Sequence, residues 1–165
     1  MHHKEWIFSI TIILLAIALI VGLVFCGLKS FNPSRLLNET RDEQRINDLA
    51  KIKTALDLYI ADGQSFDNLE TGKIYASNEG SVLANGTGWL PLNLQAISSG
   101  APFKELPVDP LNNKTGNYHI AVNVTKKTYE IDCQLESAKY LPMAKGDGGN
   151  NPDLYEIGTD LSLLK

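Results

Sequence analysis

The run from Trp6 to Leu28, uncharged and bounded by Glu5 and Lys29, constrains this chain more than any other feature. It is 23 residues long, and fifteen of them are Ile, Leu, Val or Phe. As a helix rising ~1.5 Å per residue it would extend roughly 34 Å, against about 30 Å for the hydrocarbon core of a bilayer. At about −0.4 kcal/mol for each large apolar residue, membrane entry is favoured by ~6 kcal/mol. A cleaved signal has a shorter apolar stretch that ends in a small-x-small site. Val24-Phe25-Cys26-Gly27 offers no such site, and Phe25 stands where a lipid-attachment motif carries a small residue. The run therefore reads as a retained single-pass anchor, residues 1–31, with residues 6–28 in the lipid bilayer. Its basic flanks, Lys4 before it and Lys29 and Arg35 after it, lean slightly against an external domain.

The remaining residues, 32–165, suffice for one domain with a modest core. From Ser30 onward there are 13 basic and 18 acidic residues, a net charge of −5. Such a domain, with Lys126-Lys127 as its one basic pair, argues against nucleic acid and anionic headgroups as partners. Cys26 ends the apolar run and Cys133 falls in an expected strand, so no intrachain bridge is expected. Cys133 reads as a small core residue.

A helix is predicted from about Ser34 to Ala61. Ile46, Leu49, Ile52, Leu56, Tyr59 and Ile60 recur at three- and four-residue steps and form one apolar stripe. Arg41, Asp42, Glu43, Arg45, Asp48, Lys51, Lys53 and Asp57 fall on the other, solvated face. Asp42–Arg45 and Lys53–Asp57 are spaced to pair across a turn, each worth a few tenths of a kcal/mol. Asp62-Gly63 ends the helix. Asn32-Pro33 either caps its first turn or kinks one long helix running out of the membrane.

Residues 64–88 read as a long loop with a short strand near Lys73 to Ala76, and Trp89 to Leu92 with Leu94 to Ile97 as a short helix closed by Ser98-Ser99-Gly100. Two strands follow. Tyr118, Ile120, Val122 and Val124 alternate with polar or small residues, as do Tyr129, Ile131, Cys133 and Leu135. Flanking Thr125-Lys126-Lys127-Thr128, they predict an antiparallel hairpin with one buried face. A third strand is expected around Leu154 to Ile157. The fold class is α+β: a helix laid on a small antiparallel sheet.

No nucleophile–base pair is apparent, and His119 stands alone on the polar side of its strand, so no enzymatic activity is expected. Asp147-Gly148-Gly149-Asn150-Asn151-Pro152-Asp153 is the one polar constellation. Calcium takes six to eight oxygens, and Asp147, Asn150 and Asp153 offer three from side chains, with Asp160 further on. A solvated Gly/Asn turn accounts for the same residues. Four N-x-Ser/Thr triplets, at Asn38, Asn85, Asn113 and Asn123, are no more than an Asn-rich chain supplies by chance.

One family unites these pieces. The apolar run continues into Arg41-Asp42-Glu43-Gln44-Arg45-Ile46-Asn47-Asp48-Leu49 and Ile52-Lys53-Thr54-Ala55-Leu56-Asp57-Leu58-Tyr59. Gly88-Trp89-Leu90-Pro91, Leu106-Pro107-Val108-Asp109-Pro110-Leu111-Asn112, Tyr129-Glu130-Ile131 and Leu135-Glu136-Ser137 follow. Asp147-Gly148-Gly149 and Tyr155-Glu156-Ile157-Gly158-Thr159 close the chain. This order, over nearly the whole length, resembles bacterial type IV pilin-like proteins, nearest to the major pseudopilins of type II secretion. The resemblance implies a pilin fold, in which a long N-terminal helix is half in the membrane and half packed on the sheet. It implies an extracytoplasmic domain on the cytoplasmic membrane, and homo- or hetero-oligomers with other pilin-like subunits. It also implies calcium in the C-terminal loop. The family's cleavage glycine and membrane-embedded glutamate have no counterpart in Met1-His2-His3-Lys4-Glu5-Trp6-Ile7-Phe8. Two functions follow as expectations: a structural or accessory subunit of a secretion or pilus-type apparatus, or a singly anchored ligand-binding module that does not polymerise.

Overall fold

The computed structural model describes residue 6, residues 12–22 and residues 32–164. The chain divides into two compact units, Met1–Leu36 and Leu37–Lys165. In the first, residues 12–22 are helical. Most of the rest of the anchor predicted over residues 6–28 lies outside the described residues. Among the described residues no helix is long and apolar enough to cross a membrane.

Helix α1 spans Pro33–Ala61. Asn32 is not helical, and its Oδ1 accepts the Arg35 N–H at 3.2 Å. Pro33 lacks the N–H that the first turn would leave unpaired, so Asn32-Pro33 opens this helix as a capped start. At the other end the Gly63 N–H meets the Ile60 carbonyl at 2.9 Å with φ at +78°, a conformation that favours glycine. The Asp62 carboxylate beyond it accepts the Ser98 N–H at 2.6 Å and hydroxyl at 2.8 Å. These bonds hold the Asp62 carboxyl below its ordinary range.

Four strands form one antiparallel sheet in sequence order: β1 (Ile74–Ala76), β2 (His119–Asn123), β3 (Thr128–Cys133) and β4 (Tyr155–Gly158). Short helical turns lie at Leu94–Ala96 and at Leu141–Ala144 (α2); the latter was not anticipated from the sequence. Tyr118, Ile120, Val122, Tyr129, Ile131 and Cys133 share one core with the α1 stripe of Leu49, Ile52, Ala55, Leu56 and Tyr59. Ile46 and Ile60, at the ends of that stripe, are only partly buried. Two tyrosines tie the layers together. The Tyr118 hydroxyl donates to Asp48 at 3.2 Å, and the Tyr129 hydroxyl donates to Asp57. Burial, with those carboxylates, pushes both phenols well above their ordinary range. Lys53 pairs with Asp57 across a turn at 2.6 Å, as the spacing predicts.

The helix face expected to be solvated is partly buried. Asp42 and Arg45 are wholly inaccessible, and Asp48 is nearly so. The Arg45 Nε donates to Asp109 at 2.6 Å, and its Nη1 donates to Asp42 at 2.9 Å and to Glu136 at 2.8 Å. Asp42 in turn accepts the N–H groups of Glu136 and Ser137. Asp109 accepts the Leu111 N–H at 2.8 Å. Burial raises the Glu136 carboxyl, but Arg41 and Arg45 outweigh it and hold the group below its ordinary range. The Asp42–Arg45 pair is therefore not a surface pair worth tenths of a kcal/mol. It sits at the centre of a clamp that fixes α1 to the 106–112 segment and to the chain leaving β3.

Gly158 pairs with Glu130 in the β3–β4 register. A Cβ there would lie 2.2 Å from the Tyr129 carbonyl oxygen and 2.9 Å from the Glu130 Cα. Both are backbone atoms and cannot swing aside. Gly158→Ala is expected to lower stability by about 1–3 kcal/mol in denaturant unfolding, by prising β4 from β3.

Candidate functional site on the outer face of the sheet

The sheet has a second buried face. Glu130, Asp132 and Glu156 point away from α1, and each is at most 3% exposed. The hairpin predicted with one buried face has its other face covered as well: the 147–153 loop and residues 159–164, on either side of β4, fold back across it.

The loop from Asp147 to Asp153 is held by its own backbone. Asp147 Oδ1 accepts the Gly149 N–H at 2.8 Å, and its Oδ2 accepts the Glu156 N–H at 2.8 Å. Asn150 donates its side-chain amide to the Leu164 carbonyl at 3.2 Å. Asp153 is exposed, and its N–H goes to the Asn151 side chain at 3.1 Å. Asp160 accepts the Ser162 hydroxyl at 2.6 Å. Of the three predicted calcium ligands, Asp147 has both carboxylate oxygens on backbone N–H groups, whereas Asn150 is tied through its amide nitrogen and Asp153 through its backbone. Among the described residues no three His, Cys, Asp or Glu side chains converge on a metal position.

The loop is built around Glu156. Its Oε2 accepts the Asn151 N–H at 2.9 Å. A Cβ on Gly149 would lie 2.0 Å from that oxygen, so the backbone closes on the carboxylate only because residue 149 is glycine. Glu130, one strand over, holds the last residues: its Oε2 accepts the N–H groups of Leu163 at 2.6 Å and Leu164 at 2.8 Å. Its other oxygen, Oε1, is buried without a hydrogen-bond donor. Burial, and the Glu156 carboxyl within hydrogen-bonding reach, push the Glu130 carboxyl up to about 7. Two backbone N–H bonds pull the other way and do not offset this.

His119 is not alone. It stands opposite Asp132 in the β2–β3 register, with Nδ1 2.7 Å from Asp132 Oδ1. That bond raises the imidazole above its ordinary range, against the opposing effect of burial. His119 and Asp132 line a cavity of about 190 Å³ with Ile74, Asn151, Leu154, Glu156 and Leu164. A histidine oriented by a carboxylate becomes a catalytic base when a hydroxyl or thiol lies at its other nitrogen, and none of these lining residues supplies one. Cys133, the one thiol among the described residues, is buried in the core, as predicted, and burial pushes it far up. A larger groove of about 630 Å³ opens between Lys53 of α1, Pro142 and Met143 of α2, and Tyr155 and Ile157 of β4.

Sequence reasoning missed the Glu130–Glu156 pair and the His119–Asp132 pair. The signal was present in the alternation that placed Glu130 and Asp132 on one side of β3 and His119 on the same side of β2. Alternation reports which residues share a face but not whether a distant segment covers it. No protein-family model, no curated protein and no solved structure matches this chain.

Proposed function

We propose that this chain is a membrane-anchored, pilin-like structural subunit or accessory component of a type II secretion or type IV pilus-like apparatus, with its C-terminal domain extracytoplasmic. The observation that carries this reading is one of order. A 23-residue apolar run stands directly ahead of a 29-residue helix whose apolar stripe shares a core with an antiparallel four-stranded sheet. In this reading the run and α1 are the membrane and soluble halves of a pilin helix, meeting at Asn32-Pro33. The role is structural rather than catalytic. Calcium enters as a loop ligand only: Asp147, Asn150 and Asp153 would hold it once Asp147 exchanged its two backbone donors for the ion.

The test is photo-crosslinking in intact membranes. A reactive side chain is placed at Leu36 or Leu37, which are 47% and 55% exposed. Crosslinks to copies of itself or to other pilin-like subunits are expected, with the chain in the membrane fraction. A chain that is membrane-bound yet never crosslinks to such subunits overturns the assembly role. It would favour a singly anchored ligand-binding module, for which the groove beside α2 and β4 is the supporting observation.

A further inference from the structure

We infer that Glu130 and Glu156 share one buried proton, and that this proton latches the end of the chain, Thr159 to Leu164, over the outer face of the sheet. Both residues are at most 1% exposed and are diagonal neighbours on adjacent strands, Glu130 standing opposite Gly158 and Glu156 opposite Asp132. Two ionised carboxylates buried side by side repel strongly, so one of them keeps its proton. The donorless Glu130 Oε1 is the atom that such a proton occupies, bridging to Glu156. One further oxygen of each carboxyl is already committed to backbone N–H groups. Glu130 Oε2 takes the Leu163 and Leu164 N–H groups, and Glu156 Oε2 takes the Asn151 N–H. The pair therefore joins the terminal segment and the 147–153 loop through a single titratable bond.

The other titratable groups near the pair are Asp132, directly opposite Glu156 in the register, His119 bonded to Asp132, and Asp147 on the Glu156 N–H. Asp132 adds negative charge and favours the retained proton. His119, when protonated, offsets Asp132. The sign of the pH effect follows from the raised Glu130 carboxyl. The latched state holds its proton up to about pH 7, whereas an opened segment exposes a carboxyl with an ordinary value near 4.5. The proton's contribution to latching is complete below about 4.5, declines between 4.5 and 7, and is absent above 7. Opening exposes the cavity that Leu164 and Asn151 help to close over His119 and Asp132.

The experiment follows hydrogen exchange at the Leu163 and Leu164 amides of the full chain in detergent, corrected for intrinsic rates. Protection is expected to fall about tenfold per pH unit between pH 5 and 7 and then to level off. Glu130→Gln mimics the protonated acid: its oxygen still accepts both N–H groups, and its amide donates to Glu156. It is expected to flatten most of the fall; any remainder reports His119, whose bond to Asp132 raises it above its ordinary range. Equal pH dependence in the wild type and Glu130→Gln would overturn the latch, as would wild-type protection that ignores pH. Should Glu130→Gln fail to fold, Glu156→Gln offers the same bridge from the other side. A carboxyl carbon titration of the wild type then decides: a midpoint near 7 at Glu130 supports the shared proton, and midpoints below 5 at both glutamates refute it.

Discussion

Arg45→Met is expected to destabilise the domain by about 3–5 kcal/mol, because it strips the partner from buried carboxylates while leaving them in place. The guanidinium bonds Asp42, Asp109 and Glu136 at once, and Met fills similar volume without a donor. Asp42 keeps two backbone N–H groups and Asp109 keeps the Leu111 N–H, so their desolvation is only partly relieved. The deficit should depend on pH. In the wild type the Glu136 carboxyl is held low, so its stabilisation is present above the ordinary carboxylate value and fades as pH falls through the lowered one. In the variant Glu136 no longer has Arg45 to hold its carboxyl low, so less of this stabilisation is there to fade as pH falls. The gap between wild type and variant should therefore narrow from pH 8 toward pH 4.5 in denaturant unfolding. Asp109→Asn added to Arg45→Met should recover part of the loss, and the double-mutant cycle measures the coupling. A constant gap across that range, or no recovery, would mean that Arg45 acts by packing alone.

The clamp also shows where sequence reading reaches its limit. Helical spacing identified the Ile46–Ile60 stripe, which is buried from Leu49 to Tyr59 and only partly at its two ends, and put Asp42 beside Arg45, as found. Spacing assigns a charged residue to the face opposite the stripe, yet a helix of this length meets different surroundings along its axis. Near Asp42 it meets the 106–112 segment and the chain leaving β3; near Asp57 its face is about half-exposed. Those segments are 64 and 95 residues away in sequence, and no local pattern announces them. The outer face of the sheet follows the same logic. Period-2 alternation found β2 and β3 within a residue or two, but Glu130, Asp132 and Glu156 became interior only because the 147–153 loop and residues 159–164 return over them. The Asp147–Asp153 loop was legible as a Gly-rich polar turn. That Glu156 accepts a loop N–H and gives its own to Asp147 was not, since the glutamate lies in the following strand.

Leu56→Ala separates the anchor from the fold it carries. Leu56 has no exposed surface and sits mid-stripe in the core that α1 shares with Ile120 and Ile131 of the sheet. Removing its branched end loses transfer energy and leaves a cavity that a rigid helix–sheet contact closes poorly. The expected cost is about 2–5 kcal/mol. Leu37→Ala, at a residue 55% exposed on the same helix, should change stability by no more than about 0.5 kcal/mol. Neither substitution touches residues 6–28, so both variants should partition into membranes like the wild type. Leu56→Ala should nonetheless be digested faster by added protease, because a larger fraction of its domain is unfolded at any moment. If the run and α1 form the two halves of a pilin helix, crosslinking at Leu36 should survive in Leu37→Ala. In Leu56→Ala it should decline with the folded fraction of the domain, since assembly would need the sheet held against the helix. Crosslinking that persists in Leu56→Ala after the domain is digested would place assembly in the anchor alone.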